Sequence, residues 1–153
     1  MEKIIIPLTL TALLFFSLKS KKVWALPEKG KPFEQIFRNA EMMYGLPKNL
    51  LARMAQQESN YNTNAKGTSG EIGIMQITPK WHPELTNPYD AQASIFYAGK
   101  YIKQLHNQFG NFKDAIAAYN WGPGNLSNYK KGIIKSMPAI TIKYVNDVAS
   151  DVL

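Results

Sequence analysis

Apolar residues recur at helical spacing along most of the chain, and the runs end at glycine or proline. The first run starts at Phe33 and stops before Gly45, a residue type that closes helices in the left-handed conformation. The longest run starts at Asn87-Pro88, interpreted as an N-cap followed by proline in the first turn, and continues to Gly110. These runs predict a mainly α domain.

Three further helices are expected from the same pattern. Pro47 suits the first turn of the second helix. A shorter helix over about 112–120 is expected to end at Gly122-Pro123-Gly124, through which no helix can continue. The last helix is expected to start near Thr141.

The residues between the second helix and the longest one have a different composition. The stretch 60–73 is rich in Asn, Thr, Ser and Gly, which favours an irregular loop. Residues 72–77 are interpreted as a short strand or turn, closed by Pro79. We therefore expect a small irregular or β segment near 66–80 within the helical domain.

The chain has no cysteine, so a disulfide framework, a thiol nucleophile and a cysteine-based zinc site are excluded. His82 and His106 are far apart and lack ligand-like spacing. We expect neither a metal nor another cofactor. At 153 residues the chain is about one domain long, and its core alone must hold the fold.

The first 25 residues form a segment of their own. An apolar run over residues 4–18 is too short for a comfortable membrane span and long enough for a secretory signal, and Val23 and Ala25 suit cleavage after Ala25. The three lysines that follow the run resist translocation, so an uncleaved anchor is the alternative. We expect an exported protein of the periplasm or cell envelope, with a linker over 26–32 and one domain over 33–153.

The formal charge of the chain is +7, and the part beyond residue 25 has 14 basic against 10 acidic residues. A moderate positive field suits an anionic polymer, and nucleic acid, teichoic acid and the stem carboxylates of peptidoglycan all qualify. Basic and aromatic residues do not interleave along one element, so no nucleic acid is expected.

Glu58 is the residue that most needs a chemical explanation. In the second helix Leu50, Met54 and Glu58 are four residues apart, which puts a carboxylate on the apolar stripe. Apolar surroundings disfavour the charged form, raise the pKa and keep such a group protonated near neutral pH. Glu58 is therefore a candidate general acid; the alternative is a solvated glutamate at a helix end.

Four segments together resemble the SLT-type lytic transglycosylases, a lysozyme-like family. The similarity spans roughly residues 35–148 and implies a lysozyme-like α+β fold. It is carried by Glu58-Ser59, by Gly73-Ile74-Met75-Gln76, by Ala118-Tyr119-Asn120-Trp121-Gly122, and by Pro138 with Thr141, Tyr144 and Val145.

The resemblance implies an enzyme that cleaves the β-1,4 bond between N-acetylmuramic acid (MurNAc) and N-acetylglucosamine (GlcNAc) in peptidoglycan. Glu58 would act first as the general acid and then as the base. The C6 hydroxyl of the same MurNAc would be the nucleophile, which closes a 1,6-anhydro ring, so a second carboxylate is not needed. Substrate-binding roles are implied for Ser59, Met75, Gln76, Tyr119, Asn120 and Tyr144. For Met75, Gln76, Tyr119 and Tyr144 a purely structural role is the alternative, and Asn120 is also expected to hold the turn at Tyr119.

Glu71 departs from the family pattern, which usually has a small residue at that position. A second acid near the cleft would permit hydrolysis, so a lysozyme-type muramidase is the first alternative function. The place of Asp90, another carboxylate, is not fixed by the sequence. The alternative from another class is an inactive peptidoglycan-binding module of an envelope-spanning assembly.

The sequence does not choose the biological system. A small catalytic domain behind an export segment is typical of enzymes that serve secretion, conjugation or pilus machines, and of phage entry or lysis enzymes, which are carried by the virion. A monomer is expected.

Overall fold

A computed structural model describes residues 24–150, 152 and 153. The predictions made for residues 1–23, namely the apolar run at 4–18 and its role as a signal or anchor, lie outside the described residues. Among the residues that are described, no helix is both long and apolar enough to cross a bilayer.

Helices account for most of the described part of the chain, which confirms the predicted mainly α class. After a short 3-10 helix, Glu28–Phe33, the chain forms α1 (Glu34–Tyr44), α2 (Leu50–Ser59), α3 (Ala91–Phe109), α4 (Phe112–Trp121), α5 (Pro123–Lys130) and α6 (Ala139–Ala149). The predicted irregular or β segment is also present. Its pairing consists of two isolated antiparallel bridges, Lys66 with Ile72 and Ile72 with Ile77.

Helix α4 lies at the centre of the domain, where it packs against α3, α5 and α6. Residues 115–118 of this helix, three alanines and Ile116, are all buried. Because alanine side chains are short, the neighbouring helices can come close to α4 on several sides. Helix α2 packs against α1, α3 and α6. Helix α6 therefore contacts both α2 and α4.

The predicted ends of α1 and α3 are confirmed, and the predicted start of α3 is wrong. Gly45 closes α1 and Gly110 closes α3, both in the left-handed conformation (φ 61° and 83°). Helix α3, however, is capped by Asp90, whose carboxylate accepts the Ala93 N–H at 2.7 Å. The side chain of Asn87 accepts the N–H of Tyr89 instead, which makes a turn ahead of the helix.

Two further differences concern proline. Pro47 does not lie in the first turn of α2, since this helix starts at Leu50 and the Pro47 carbonyl only accepts the Leu50 N–H. Helix α4 does end at Gly122 as predicted, but Pro123 then starts α5, which was missed. Proline breaks a helix from within and favours the first turn of a new one, so the same residue ends one helix and begins the next.

The segment predicted as a linker, 26–32, is folded onto the domain. It contains most of the 3-10 helix, Gly30 is buried, and Leu26 packs against the core. Just before it, the Trp24 ring lies 5.2 Å from the Arg53 guanidinium carbon, a cation–π distance. The prolines and glycine that suggested a linker instead belong to a short helical segment that packs against α1.

Candidate active site

A cleft of about 660 Å³ opens at the end of the domain where α2 and α4 finish. This volume is in the range of small-molecule and substrate sites. The cleft is lined by residues from the end of α2, the irregular segment, α3 and the junction of α4 with α5, among them Glu58, Glu71, Gln76, Trp81, Tyr101, Tyr119 and Asn120.

Glu58 lies in the last turn of α2 and lines the cleft. Burial raises the pKa of its carboxyl group from 4.5 to about 7, because an apolar environment disfavours the charged form. A hydrogen bond from Tyr144 lowers this pKa in part, and the charge of Glu71 raises it. At neutral pH both the protonated and the charged form of Glu58 are thus populated, so it can give or take a proton.

Tyr144 holds the Glu58 carboxyl from α6. Its hydroxyl donates to Glu58 Oε1 at 2.5 Å, and its side chain is only 7% exposed. Burial is also the main reason why the pKa of Tyr144 is well above its usual value. Tyr144 therefore stays a neutral donor over the whole working range of Glu58, and the two side chains join α6 to the end of α2.

Tyr119 approaches the same place from α4. Its hydroxyl donates to the Met75 carbonyl oxygen at 2.9 Å, and burial raises the pKa of this phenol well above its usual value. The negative charge of Glu58 adds to that rise. Tyr119 thus ties α4 to the irregular segment while one side of its ring borders the cleft.

Ser59 uses its hydroxyl within the protein. The hydroxyl donates to the Ile74 carbonyl at 2.9 Å and accepts the Asn62 N–H at 3.1 Å. These bonds fasten the end of α2 to the irregular segment and fix the backbone next to Glu58. Because its only proton is engaged, Ser59 could bind substrate in this arrangement only as a hydrogen-bond acceptor.

Met75 and Gln76 differ from each other although they are neighbours. The Met75 side chain is 0% exposed, so the prediction that it offers an apolar face to the cleft is wrong; only its carbonyl takes part, as the acceptor for Tyr119. The turn that buries Met75 directs Gln76 to the cleft with a positive φ of 48°. Gln76 Nε2 donates to the Gly73 carbonyl at 2.9 Å, which holds the amide in place.

Asn120 lines the cleft at the end of α4, and its Oδ1 accepts the Thr141 hydroxyl at 2.9 Å. Because Thr141 is in the first turn of α6, this bond joins the end of α4 to the start of the helix that carries Tyr144. The amide nitrogen of Asn120 remains available to bind a ligand.

The two carboxylates whose roles were open have separate places. Glu71 lines the cleft, and one of its oxygens accepts the Ser69 N–H at 2.9 Å. Asp90 is the N-cap of α3. The second acid of this cleft is therefore Glu71.

Sequence reasoning missed the aromatic group that His82 and Tyr101 form on the cleft wall beside Trp81. All three line the cleft. The rings of His82 and Tyr101 are 4.8 Å apart edge to face, and those of Tyr101 and Tyr119 are 5.8 Å apart. The Trp-His pair after Pro79 was the available signal. Within the described residues, no group of three or more histidines and carboxylates could hold a metal ion.

Comparison with known proteins gives a family match and several relatives. The model of the transglycosylase SLT domain family matches residues 35–136. A membrane-bound lytic murein transglycosylase F of Stutzerimonas stutzeri (strain A1501) is 32% identical over 115 residues, which are 69% of this chain and 24% of the relative. A transglycosylase of Enterobacteria phage PRD1 is 29% identical over 109 residues, 70% of this chain and 40% of the relative.

Solved structures agree in fold. The 70 kDa soluble lytic transglycosylase of Escherichia coli matches with a TM-score of 0.66 and 26% identity, over 76% of this chain and 22% of that one. The lytic transglycosylase Slt of Pseudomonas aeruginosa, solved as an inactive mutant, has the same TM-score at 24% identity, over 74% and 22%. The predicted fold is thereby confirmed. The chain spans less than half the length of each of these proteins.

Proposed function

Because this chain belongs to the transglycosylase SLT family, we propose that it is a lytic transglycosylase of peptidoglycan with Glu58 as its general acid and base. The observation that carries the proposal is the cleft carboxyl group with a pKa of about 7, held by Tyr144 at 2.5 Å. A carboxyl group in that state can donate a proton and accept one within a single cycle at neutral pH.

In the first step, protonated Glu58 gives its proton to the oxygen of the bond between MurNAc C1 and the following GlcNAc. The bond to C1 breaks, GlcNAc leaves with a free 4-hydroxyl, and positive charge develops at C1 and the ring oxygen. The Glu58 carboxylate that results is stabilised by the Tyr144 hydroxyl.

In the second step, the Glu58 carboxylate takes the proton of the C6 hydroxyl of the same MurNAc. The C6 oxygen bonds to C1 and closes the 1,6-anhydro ring, which returns Glu58 to its protonated form and consumes no water. Because the attack is intramolecular, orientation contributes on the order of 7–11 kcal/mol at its favourable limit. One carboxylate therefore suffices for both proton transfers.

The remaining cleft residues position the strand. The amides of Gln76 and Asn120 suit the N-acetyl and hydroxyl groups of the sugars. Tyr119 and Ser59 fix the backbone around Glu58 through their bonds to the Met75 and Ile74 carbonyls. Substrate-binding roles are thus proposed for Gln76 and Asn120, and positioning roles for Ser59, Tyr119 and Tyr144.

Lysozyme-type hydrolysis is the second candidate, because Glu71 brings another carboxylate into the same cleft. With a water molecule activated by Glu71, the product would carry a reducing MurNAc end instead of the anhydro ring. Mass spectrometry of digested sacculi separates the two reactions, since the anhydro product is lighter by one water.

The decisive experiment compares sacculus digestion by the full chain and by its Glu58→Gln variant. We expect anhydro-muropeptides from the wild type and none from the variant. Equal digestion by both would refute the role of Glu58. Binding without digestion by both would favour the inactive module.

Location and partners follow the same proposal. We place the protein in the cell envelope, with residues 1–25 as its signal or anchor and 33–153 as its catalytic domain. Its partner is the glycan strand. A secretion, conjugation, pilus or phage assembly would be the system it serves, and tracking of a tagged chain in cell fractions tests the location.

A further inference from the structure

Trp81 is a large aromatic residue whose side chain is exposed to solvent. It is 69% exposed and lines the cleft. The other tryptophan close to the cleft, Trp121, is half-buried and packs its ring edge to face against Tyr129, with centroids 6.2 Å apart. The contact with Tyr129 therefore engages the Trp121 ring, whereas the exposure of Trp81 is left unexplained.

The backbone beneath Trp81 is firmly held. The N–H groups of Trp81 and His82 both donate to the Thr78 carbonyl, at 3.0 and 3.1 Å. On either side of this turn, Ile77 and Leu85 are buried in the core. Trp81 thus sits on a short turn with buried ends, which fixes the backbone position from which its ring projects.

His82 adds a second anchor. Its ring packs edge to face against Tyr97 and Tyr101, with centroids 5.4 and 4.8 Å apart, and its Nδ1 is 2.8 Å from the Tyr97 hydroxyl. The Tyr97 hydroxyl in turn donates to Glu84. The residue next to Trp81 is therefore locked between α3 and the turn. An exposed ring on so rigid a support is ready for a ligand, because little freedom is lost when it binds.

Lys80 places a positive charge beside the Trp81 ring. Its ammonium group lies 4.6 Å from the centroid of the Trp81 ring. An ammonium at that distance is held by the ring face, so a positive charge is kept beside the platform. A ligand that stacks on the ring and carries a carboxylate can satisfy both groups.

We propose that Trp81 forms a stacking subsite for one pyranose ring of the bound strand, and that Lys80 makes this subsite prefer a sugar that bears a carboxylate. The apolar C–H face of the sugar covers the indole, and the lactyl or stem-peptide carboxylate meets the ammonium group. This inference rests on the proposed function, since it takes the occupant of the cleft to be a peptidoglycan strand.

Binding is measured with the full chain carrying Glu58→Gln, so that the ligand is not consumed. Titration calorimetry compares two probes, solubilised peptidoglycan strands and neutral chitooligosaccharides of equal length. In this background, Trp81→Ala is expected to weaken both by about tenfold or more, as for a central aromatic contact. Trp81→Tyr should keep most of the affinity, and Trp24→Phe, far along the chain beside Arg53, should change neither.

Lys80→Gln separates the charge from the ring. It is expected to weaken the acidic strands severalfold and to leave the neutral oligosaccharides unchanged. Equal affinities for Trp81→Ala and its parent would overturn the subsite, and equal losses on both probes for Lys80→Gln would overturn the preference for a carboxylate.

Tryptophan fluorescence supplies an independent readout. Quenching by the strands should vanish in Trp81→Phe and persist in Trp121→Phe; the reverse result contradicts the assignment. The anhydro product of the wild-type chain tests the proposed function separately. If that product is absent while Trp81→Ala still loses affinity, the proposed reaction fails and the subsite stands.

Discussion

The two walls of the cleft are built on different principles. One wall consists of helix ends, with Glu58 on α2 and Asn120 on α4, and Tyr144 supports it by holding Glu58 from the middle of α6. The other is the irregular segment, where Gln76 and Trp81 reach the cleft. The helix wall places its side chains through buried helix faces. The irregular wall places them through single turns that depend on individual backbone conformations.

This difference assigns different tasks to the walls. The helix wall holds the groups proposed to move protons, and the packing of α6 against both α2 and α4 keeps their distances short. The irregular wall holds the groups that would contact the strand. Substitutions in the first should therefore change the reaction and its pH dependence, and substitutions in the second should change binding or the integrity of the segment.

The largest expected effect is on the helix wall, for Glu58→Gln. The amide has no proton to give, so the rate of release of anhydro-muropeptides should fall by about 10²- to 10⁴-fold, the usual contribution of a general acid. Gln57, the exposed preceding residue, supplies a control: Gln57→Glu adds a carboxylate nearby and should keep the activity. A Glu58→Gln protein that retains a tenth of the rate would contradict the division of tasks.

The largest effect on the irregular wall is expected for Gly73→Ala. Gly73 has φ 76°, and a Cβ there would lie 2.0 Å from the Pro88 carbonyl oxygen. Strain and clash together should lower the free energy of unfolding by about 3 kcal/mol or more. Gly70→Ala is the matched control, because its φ is 96° with open space around it. Urea unfolding of both variants measures the difference, and equal losses would mean that the close approach to Pro88 is unimportant.

The walls also differ in how far the sequence predicts them. Glu58 and Tyr144 fall on the apolar stripes of their helices. Periodicity alone therefore predicts that each side chain lies on the buried side of its helix. In the irregular wall, the burial of Met75 depends on the left-handed conformation of Gln76 and on the contact of Gly73 with Pro88. No local sequence pattern predicts these two features. Met75 was therefore wrongly assigned to the cleft, and the held turn that carries Trp81 was missed.

On the helix wall, the buried carboxyl group of Glu58 should also lower the free energy of unfolding in a way that depends on pH. The pKa of Glu58 is raised from 4.5 to about 7 in the folded protein, so the folded state loses stability as the pH rises through this window. Glu58→Gln removes the loss and should be more stable above pH 7 by about 2–3 kcal/mol, with little difference below pH 4.5. Urea unfolding at pH 4.5 and pH 8 measures this. The same stability difference at both pH values would show that burial of the charge is not the cause.

Tyr144→Phe tests the connection within the helix wall. Loss of the hydroxyl removes the hydrogen bond that lowers the pKa of Glu58, so this pKa should rise and the basic limb of the activity profile should move to higher pH. The maximal rate should fall by about tenfold or more, because a bond to a charged group contributes roughly 1.5–3 kcal/mol. Tyr129→Phe, at an exposed ring on α5, is the control. An unshifted profile would remove Tyr144 from the proton transfer.

The smallest expected effect is that of Glu71→Gln, which tests the electrostatic interaction between the two walls. The charge of Glu71 raises the pKa of Glu58 across the cleft, so its removal should move the basic limb of the activity profile to lower pH. Burial is the largest cause of the raised pKa of Glu58 and the charge of Glu71 is the smallest, so the shift should be less than about one pH unit.

Activity profiles at high salt and analysis of the products test the cause of this small shift in pH dependence. High salt screens charges across an open cleft, so the profiles of the wild type and Glu71→Gln should converge at about 1 M salt. Glu34→Gln removes an equal charge on α1, where Glu34 pairs with Arg38, and should leave the profile unchanged. If Glu71→Gln instead abolishes a hydrolysed product while the anhydro product persists, the irregular wall takes part in the chemistry and the division between the walls is broken.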